Sequence, residues 1–335
     1  MIKHPAFLTE GWKIRETELH LNVLAQTESV FALSNGHIGL RGNLDEGEPH
    51  GFPGTYLNSV YENRVLPYAE IGYGYPESGQ MVLNVTNGKL IRLLVDDEPF
   101  DVRYGTVKSH ERELDFREGV LRRNVSWISP AGRSIKVSST RLVSFTQRAI
   151  AAIHYEVEAV DAPVRIVVQS ELVANETLPD LGRDPRAGTV PSTPLESEEH
   201  TAQDCFGLLI HQTSISKLRV GAAMDHVIEG PDDVKIEAES SPDIARVSII
   251  ARLEPGERLK IVKFIAYGWS SERSLPALHD QVNAALAAAR STGWEGLLSE
   301  QRSYLDAFWE NACVELEGDT QLEQASRFAL FHVLQ

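Results

Sequence analysis

At 335 residues, with 42% hydrophobic content and a formal net charge of −16, the chain has length for one large or two ordinary domains and enough apolar residues for a sizeable core. The acidic residues are spread along the chain, which argues against nucleic acid or an anionic membrane as the main partner. Two widely separated cysteines, Cys205 and Cys313, give neither a disulfide framework nor zinc spacing, and with no signal-like or membrane-spanning apolar run this predicts a soluble cytoplasmic protein.

In chain order, the first distinctive stretch is FALSNGHIGLRG, from Phe31 to Gly42. Gly36, Gly39 and Gly42 recur every third residue, a spacing that matches neither the P-loop nor the dinucleotide fingerprint, and no strand–helix–strand unit follows to carry a phosphate. The residue types predict turns at Asn35-Gly36 and Gly42-Asn43 around a short strand, with Gly39 permitting close backbone approach. His37 is expected to be satisfied structurally, and Arg41 to pair with a nearby acid, Glu46 or Glu48.

Next comes GTYLNSVYENRVLPYAEIGYGYPESG, which gathers Tyr56, Tyr61, Tyr68, Tyr73 and Tyr75 without clean periodicity. A tyrosine ring suits the apolar C–H face of a sugar while its hydroxyl stays wet. The same residues would equally anchor a long loop against the body of the domain. Tyr61, Tyr73 and Tyr75 are the candidates for a substrate loop.

From about residue 80 to residue 269, β-branched runs alternate with turn signals. QMVLNV and KLIRLLV flank Asn87-Gly88, a strong hairpin signal, and two further runs flank Pro130-Ala131-Gly132. Roughly a dozen such strands without intervening helices predict a mainly β fold, a large two-sheet antiparallel β-sandwich. Ile135, Val137 and Ser139 mark one core-facing row. The proline-rich gap from Leu178 to Asp204 reads as a mobile surface loop. The acidic clusters Asp96-Asp97-Glu98, Asp232-Asp233 and Glu196-Ser197-Glu198-Glu199 read as solvated charges.

At Ser274 the period changes. Ser274 is placed to cap a helix that tolerates Pro276 early and carries Leu278, Val282, Leu286 and Ala289 until Gly293; a second helix is predicted from Glu295 to Val314. Asp319 is placed to cap a third, QLEQASRFALFHVLQ, whose apolar arc is wide enough to expect burial on several sides. That helix lacks stop signals, so the chain is expected to end inside a larger protein. No Gly-x-Ser-x-Gly motif and no metal-type histidine pair occur, and no cofactor or metal is expected.

Several of these stretches resemble one family. ESVFALSNGHIGLRG is similar to the N-terminal signature of glycoside hydrolase family 65, and GTYLNSVY to the segment after it. NVTNGKLIRLLVDDEPFDV and ELDFREGVLRRNVSWISPAGRSI resemble its sandwich strands, and GDTQLEQASRFALFHVLQ the start of its helical barrel. The resemblance implies a sandwich domain over 1–270, a helical linker over 271–317 and the first part of an (α/α)6 barrel over 318–335. It implies inverting cleavage of α-glucoside disaccharides such as maltose or trehalose, by inorganic phosphate in the phosphorylases and by activated water in the hydrolases. The family's acid lies in the barrel, so no catalytic residue carries over to this chain. A homodimeric parent and an inactive isolated chain are expected, with a non-catalytic carbohydrate-binding or scaffolding sandwich as the alternative.

Overall fold

The computed structural model describes residues 7–65, 74, 76–177, 193–315 and 318–335. Two antiparallel sheets dominate. The larger has ten strands, in the spatial order Phe7–Glu10, Lys13–Glu16, Thr106–Asp115, Val120–Ile128, Ser134–Val143, Ile150–Ala159, Arg258–Ser270, Arg219–Glu229, Phe206–Thr213 and Leu195–Gln203. The smaller has five: Lys235–Ser241, Ile244–Leu253, Val164–Val173, Ile91–Val95 and Glu98–Pro99. Alternation sets their facing. Ile135, Val137 and Ser139 point inward, as do Ile91, Leu93 and Val95, and these rows meet in the main core. The mainly β two-sheet sandwich is therefore present.

Small sheets complete the picture. Leu33–Ser34, Ile38–Leu40 and Thr55–Leu57 form one, and Tyr61–Val65 pairs with Ser78–Val82 in another.

The hairpin at Pro130-Ala131-Gly132 forms as expected, with Val120–Ile128 paired to Ser134–Val143 and Gly132 at φ +86°. The Asn87-Gly88 hairpin does not form. Ser78–Val82 pairs with Tyr61–Val65, whereas Ile91–Val95 pairs with Val164–Val173, so the two runs sit in different sheets. Asn87 instead exchanges both backbone hydrogen bonds with Val173 and turns its side chain to the N–H and Nζ of Lys89. The Leu178–Asp204 reading also needs correction: Leu195–Gln203 is an edge strand of the large sheet. Its polar, largely exposed residues carry none of the apolar alternation that reveals a half-buried strand. Residues 178–192 lie outside the described residues.

Helix α1 spans Leu24–Val30, α2 Leu275–Ala312 and α3 Thr320–Leu334. The two expected helices around Gly293 are one element broken at that residue (φ 71°, ψ 171°), a backbone shape that glycine adopts without strain. Ser274 precedes α2 but makes no side-chain cap; its carbonyl accepts the N–H of Leu278. Leu278, Val282, Leu286 and Ala289 pack on the outer face of the large sheet, against Ala152, Ala223, Phe264 and Ala266. Gly221 and Gly268 allow the approach: a Cβ on Gly268 would lie 3.0 Å from Val282. Asp319 caps α3 through the Leu322 N–H at 2.9 Å. Within this chain only Arg327 and Phe331 of α3 are fully buried, and Val333 is 84% exposed.

Candidate functional site, an uncharged aromatic cleft beside the Asn-Gly turn

Asn35 organises the glycine-rich stretch. Its Oδ1 accepts the N–H groups of His37 (3.0 Å) and Ile38 (2.9 Å), closing a turn in which Gly36 takes φ +76°. Its Nδ2 donates to the carbonyls of Ser144 (2.6 Å) and Arg148 (3.0 Å), pinning the turn to the end of a large-sheet strand. Ser34 Oγ donates to the carbonyl of Gln335, at the end of α3, at 2.6 Å. The turn is as the sequence predicts, but the role given to Gly39 belongs elsewhere. A Cβ there would make ordinary contacts at 3.9 Å, whereas one on Gly42 would lie 2.5 Å from Phe31 Cβ and one on Gly54 2.2 Å from Arg41.

Behind this stretch runs a buried ionic layer. Arg123 Nη1 donates to both oxygens of Glu46 (2.9 and 2.7 Å), and Tyr155 donates to the same carboxylate at 3.1 Å. Asp45 receives Arg141 at 2.5 Å and Ser139 at 2.6 Å. Burial pushes Asp45 upward, and the Arg141 and Arg123 charges outweigh it, leaving its carboxyl below the usual range. Arg41 does not pair with Glu46 or Glu48; it reaches Glu28 (3.4 Å) and the Ala25 carbonyl (2.6 Å). The reason is orientation: Glu46 faces the large sheet, away from Arg41, and proximity in sequence does not reveal it.

Other titratable groups support the fold. Lys89 is fully buried and donates to the Gly54 carbonyl, Thr55 Oγ1 and Asn87 Oδ1 at 2.6–3.1 Å; burial pushes it down to about 7. Lys263 donates to the carbonyls of Leu90 and Glu171 and is likewise pushed to about 7 by burial. His226 Nδ1 lies 2.6 Å from the Cys205 carbonyl and so carries the proton, leaving Nε2 to accept from Ser170 Oγ at 2.7 Å. This has the geometry of a serine nucleophile with its base. Both side chains are enclosed, however, and burial pushes His226 to about 3, so the pair ties one sheet to the other. Two of the three acidic clusters are engaged: Asp96 with Arg133 (2.9 Å), Glu198 with Arg219 (2.7 Å) and Glu199 with His279 (2.9 Å). Cross-strand partners, invisible in a linear reading, account for this.

On the open side of the turn lies the candidate site. Ser34, His37, Tyr56, Asn58, Ser59 and Tyr61 line a cleft of about 290 Å³, close to the roughly 300 Å³ lower limit of small-molecule sites. Pairing of Ile38–Leu40 with Thr55–Leu57 puts Gly39 opposite Tyr56, and Asn58 donates to the Gly36 carbonyl at 3.1 Å. Burial, with the Arg148 charge, lowers the pKa of His37, which is neutral at physiological pH. Among the described residues none that lines it is an acid, lysine or arginine. The described lining offers aromatic surface and neutral hydrogen-bonding groups, a chemistry suited to an uncharged polyhydroxylated ligand, with the Arg148 guanidinium beside the turn.

Of the sequence candidates, Tyr61 lines the cleft, and Tyr73 and Tyr75 lie outside the described residues. Tyr56 stood in the tyrosine cluster without being singled out. In the sequence His37 reads as structural and Asn58 carries no signal of its own; the Asn-Gly turn is the available signal, since it folds both toward the tyrosines. Among the described residues no group of three or more His, Cys, Asp or Glu is placed to hold a metal, and no helix is long and apolar enough to cross a membrane.

Comparison with known proteins gives a consistent result. The family model for the N-terminal domain of glycosyl hydrolase family 65 matches residues 14–308. A Mycobacterium leprae (strain TN) protein described as an uncharacterized glycosyl hydrolase is 60% identical over the whole chain, which covers 42% of that protein. An alpha,alpha-trehalose phosphorylase from Thermoanaerobacter brockii is 32% identical over 99% of this chain and 44% of its own length. A solved human-microbiome protein, described as a proposed kojibiose phosphorylase, superimposes with a TM-score of 0.87 at 20% identity, covering all of this chain and 43% of that one. That last likeness is one of fold. The chain spans less than half the length of these relatives.

Proposed function

Because the chain belongs to glycosyl hydrolase family 65, through its N-terminal domain, we propose that the whole protein is an inverting disaccharide phosphorylase acting on an α-glucoside of the trehalose or maltose type. Inorganic phosphate is its co-substrate and no resident cofactor is needed. The supporting observation is the 32% identity to the Thermoanaerobacter trehalose phosphorylase over 99% of this chain; a Bacillus subtilis (strain 168) maltose phosphorylase is 25% identical over the same share. In this reading the acid that protonates the glycosidic oxygen lies in a helical barrel following the sandwich, and this stretch is inactive alone. The sandwich carries that barrel, supports a cytoplasmic homodimer and lends Tyr61, in the uncharged cleft, to substrate binding.

One observation favours a second reading: the 60% identical Mycobacterium leprae protein is described as a glycosyl hydrolase. The two divide on the acceptor. Full-length enzyme incubated with trehalose or maltose should release glucose 1-phosphate only when phosphate is present. Glucose release independent of phosphate moves the assignment to the hydrolase. Sugar binding by this chain, without turnover in the full-length protein, leaves a non-catalytic binding module. Tyr61→Ala should raise KM for the disaccharide about three- to tenfold, the loss of roughly 1 kcal/mol of aromatic contact, and an unchanged KM removes Tyr61 from the site.

A further inference from the structure

Among the described residues Tyr61–Val65 and Ser78–Val82 form a two-stranded ribbon with no third strand, and such a ribbon is marginal in water unless something else holds it. Met81 supplies part of the hold by packing toward Leu83, Ala174 and Leu195. A carboxylate supplies a further part. Glu62 is completely buried, and its oxygens accept the N–H groups of Ile215 (3.0 Å) and Ser216 (2.7 Å), on the turn after the strand Phe206–Thr213. One of them also accepts the N–H of Asn63 at 2.8 Å. Ser216 Oγ completes the joint by donating to the carbonyl of Tyr61 at 2.7 Å.

The turn does not need Glu62 for its own shape. The Thr213 N–H donates to the Leu218 carbonyl and the Lys217 N–H to the Thr213 carbonyl, Thr213 Oγ1 accepts the Leu218 N–H at 2.8 Å, and the Thr213 and Ser216 hydroxyls lie 2.6 Å apart. The carboxylate therefore spends its bonds on joining two elements. Charge-assisted bonds from a carboxylate to backbone N–H groups are stronger than neutral ones, and burial removes the competing water. We propose that Glu62 is a positioning residue, which fixes where Tyr61 stands in the cleft by latching its strand to the 213–218 turn. The consequence for binding rests on the substrate reading of that cleft; the latch itself does not.

Glu62→Gln in this chain keeps the shape and one acceptor. Amide hydrogen exchange should accelerate about tenfold or more at Ile215, Ser216 and across Tyr61–Val65, the loss of a charge-assisted bond, with Ile150–Ala159 unchanged. The milder Ser216→Ala should show the same pattern, weaker. In the full-length enzyme Glu62→Gln should raise the disaccharide KM toward that of Tyr61→Ala with kcat held, and the double variant should be no worse than Tyr61→Ala. Unchanged exchange at the ribbon overturns the latch, as does acceleration throughout the sandwich in both variants. A KM that moves with Tyr61→Ala but not with Glu62→Gln overturns the positioning role. Faster ribbon exchange with KM unmoved by either substitution upholds the latch and removes the cleft from substrate binding, which separates the two failures.

Discussion

The large sheet is covered on its two faces by different chemistry. On the outer face, α2 lays leucine and valine onto alanine and glycine, with the ion pairs His279–Glu199 and Arg290–Asp225 beside an apolar centre. On the inner face, the stretch from Arg41 to Glu46 is joined to the sheet strands through Asp45, Glu46, Arg123 and Arg141. Apolar contact is non-directional and tolerates substitutions of similar volume. A buried ionic layer is unforgiving, because each charge has given up water and depends on its partner. The first kind of joint stabilises; the second fixes the path of the chain, which here is the path that leads to the Asn-Gly turn and the cleft.

This contrast predicts a hierarchy. Arg141→Met should be the most damaging change, costing about 3–5 kcal/mol by taking from the buried Asp45 its nearer cation and leaving it Arg123 at 3.7 Å, and adding Asp45→Asn should recover part of that loss. Urea unfolding of the two variants tests it, and a double variant worse than the sum of the singles would sink the ionic account. On the outer face Leu278→Ala should cost about 3 kcal/mol, and pairing it with Arg141→Met should be additive. Coupling between those two changes would mean that the faces are not independent.

Lowering the pH should separate them further. Burial holds the pKa of His110 at about 4 and that of His226 at about 3, so both stay neutral in the fold while the unfolded chain takes up protons below about 6.5. The unfolded state then binds more protons, and stability present above that pH is lost as pH falls, by up to about 2.7 kcal/mol per unit for the two groups. His226→Gln should lower the slope between pH 6 and 4.5 by up to about 1.4 kcal/mol per unit, and a flat profile in the parent chain would contradict the assignment. The smallest effect is expected from Ser34→Ala, which loses one hydrogen bond to Gln335 and should cost about 1 kcal/mol, seen as a lowered Tm and faster exchange at the end of α3.

The same contrast explains what a linear reading captures. The apolar joint is written in periodicity: Leu278, Val282 and Leu286 are spaced for one helix face, and Ile135, Val137 and Ser139 for one strand face. The turn at Pro130-Ala131-Gly132 is local chemistry and was equally legible, as was the Asp319 cap. Asn87-Gly88 misled because a turn signal cannot say whether its flanking runs pair with each other or with distant strands, and the pull of Val173 on Asn87 is a tertiary fact. The strand Leu195–Gln203 stayed hidden because an exposed edge needs no apolar alternation. In the cleft, Tyr61 could be suspected from residue type alone. His37, Tyr56 and Asn58 gained their meaning only when Ile38–Leu40 paired with Thr55–Leu57.

The break at Gly293 bears on how the molecule comes apart. Before the break α2 belongs to the outer apolar cluster, which it keeps just past the corner through Trp294, Leu297 and Leu298; further on, Leu305 and Trp309 join the inner core, Gln301 donates to the carbonyls of Gly119 and Val143, and Trp309 donates to that of Phe116. One continuous element thus straps both sides of the sheet around a single-residue corner. Neither cluster can open fully without pulling on the other through that strap, so denaturant should melt them in one cooperative transition. Stiffening the corner against its left-handed backbone, as Gly293→Val would, should uncouple that melting before it lowers any local contact.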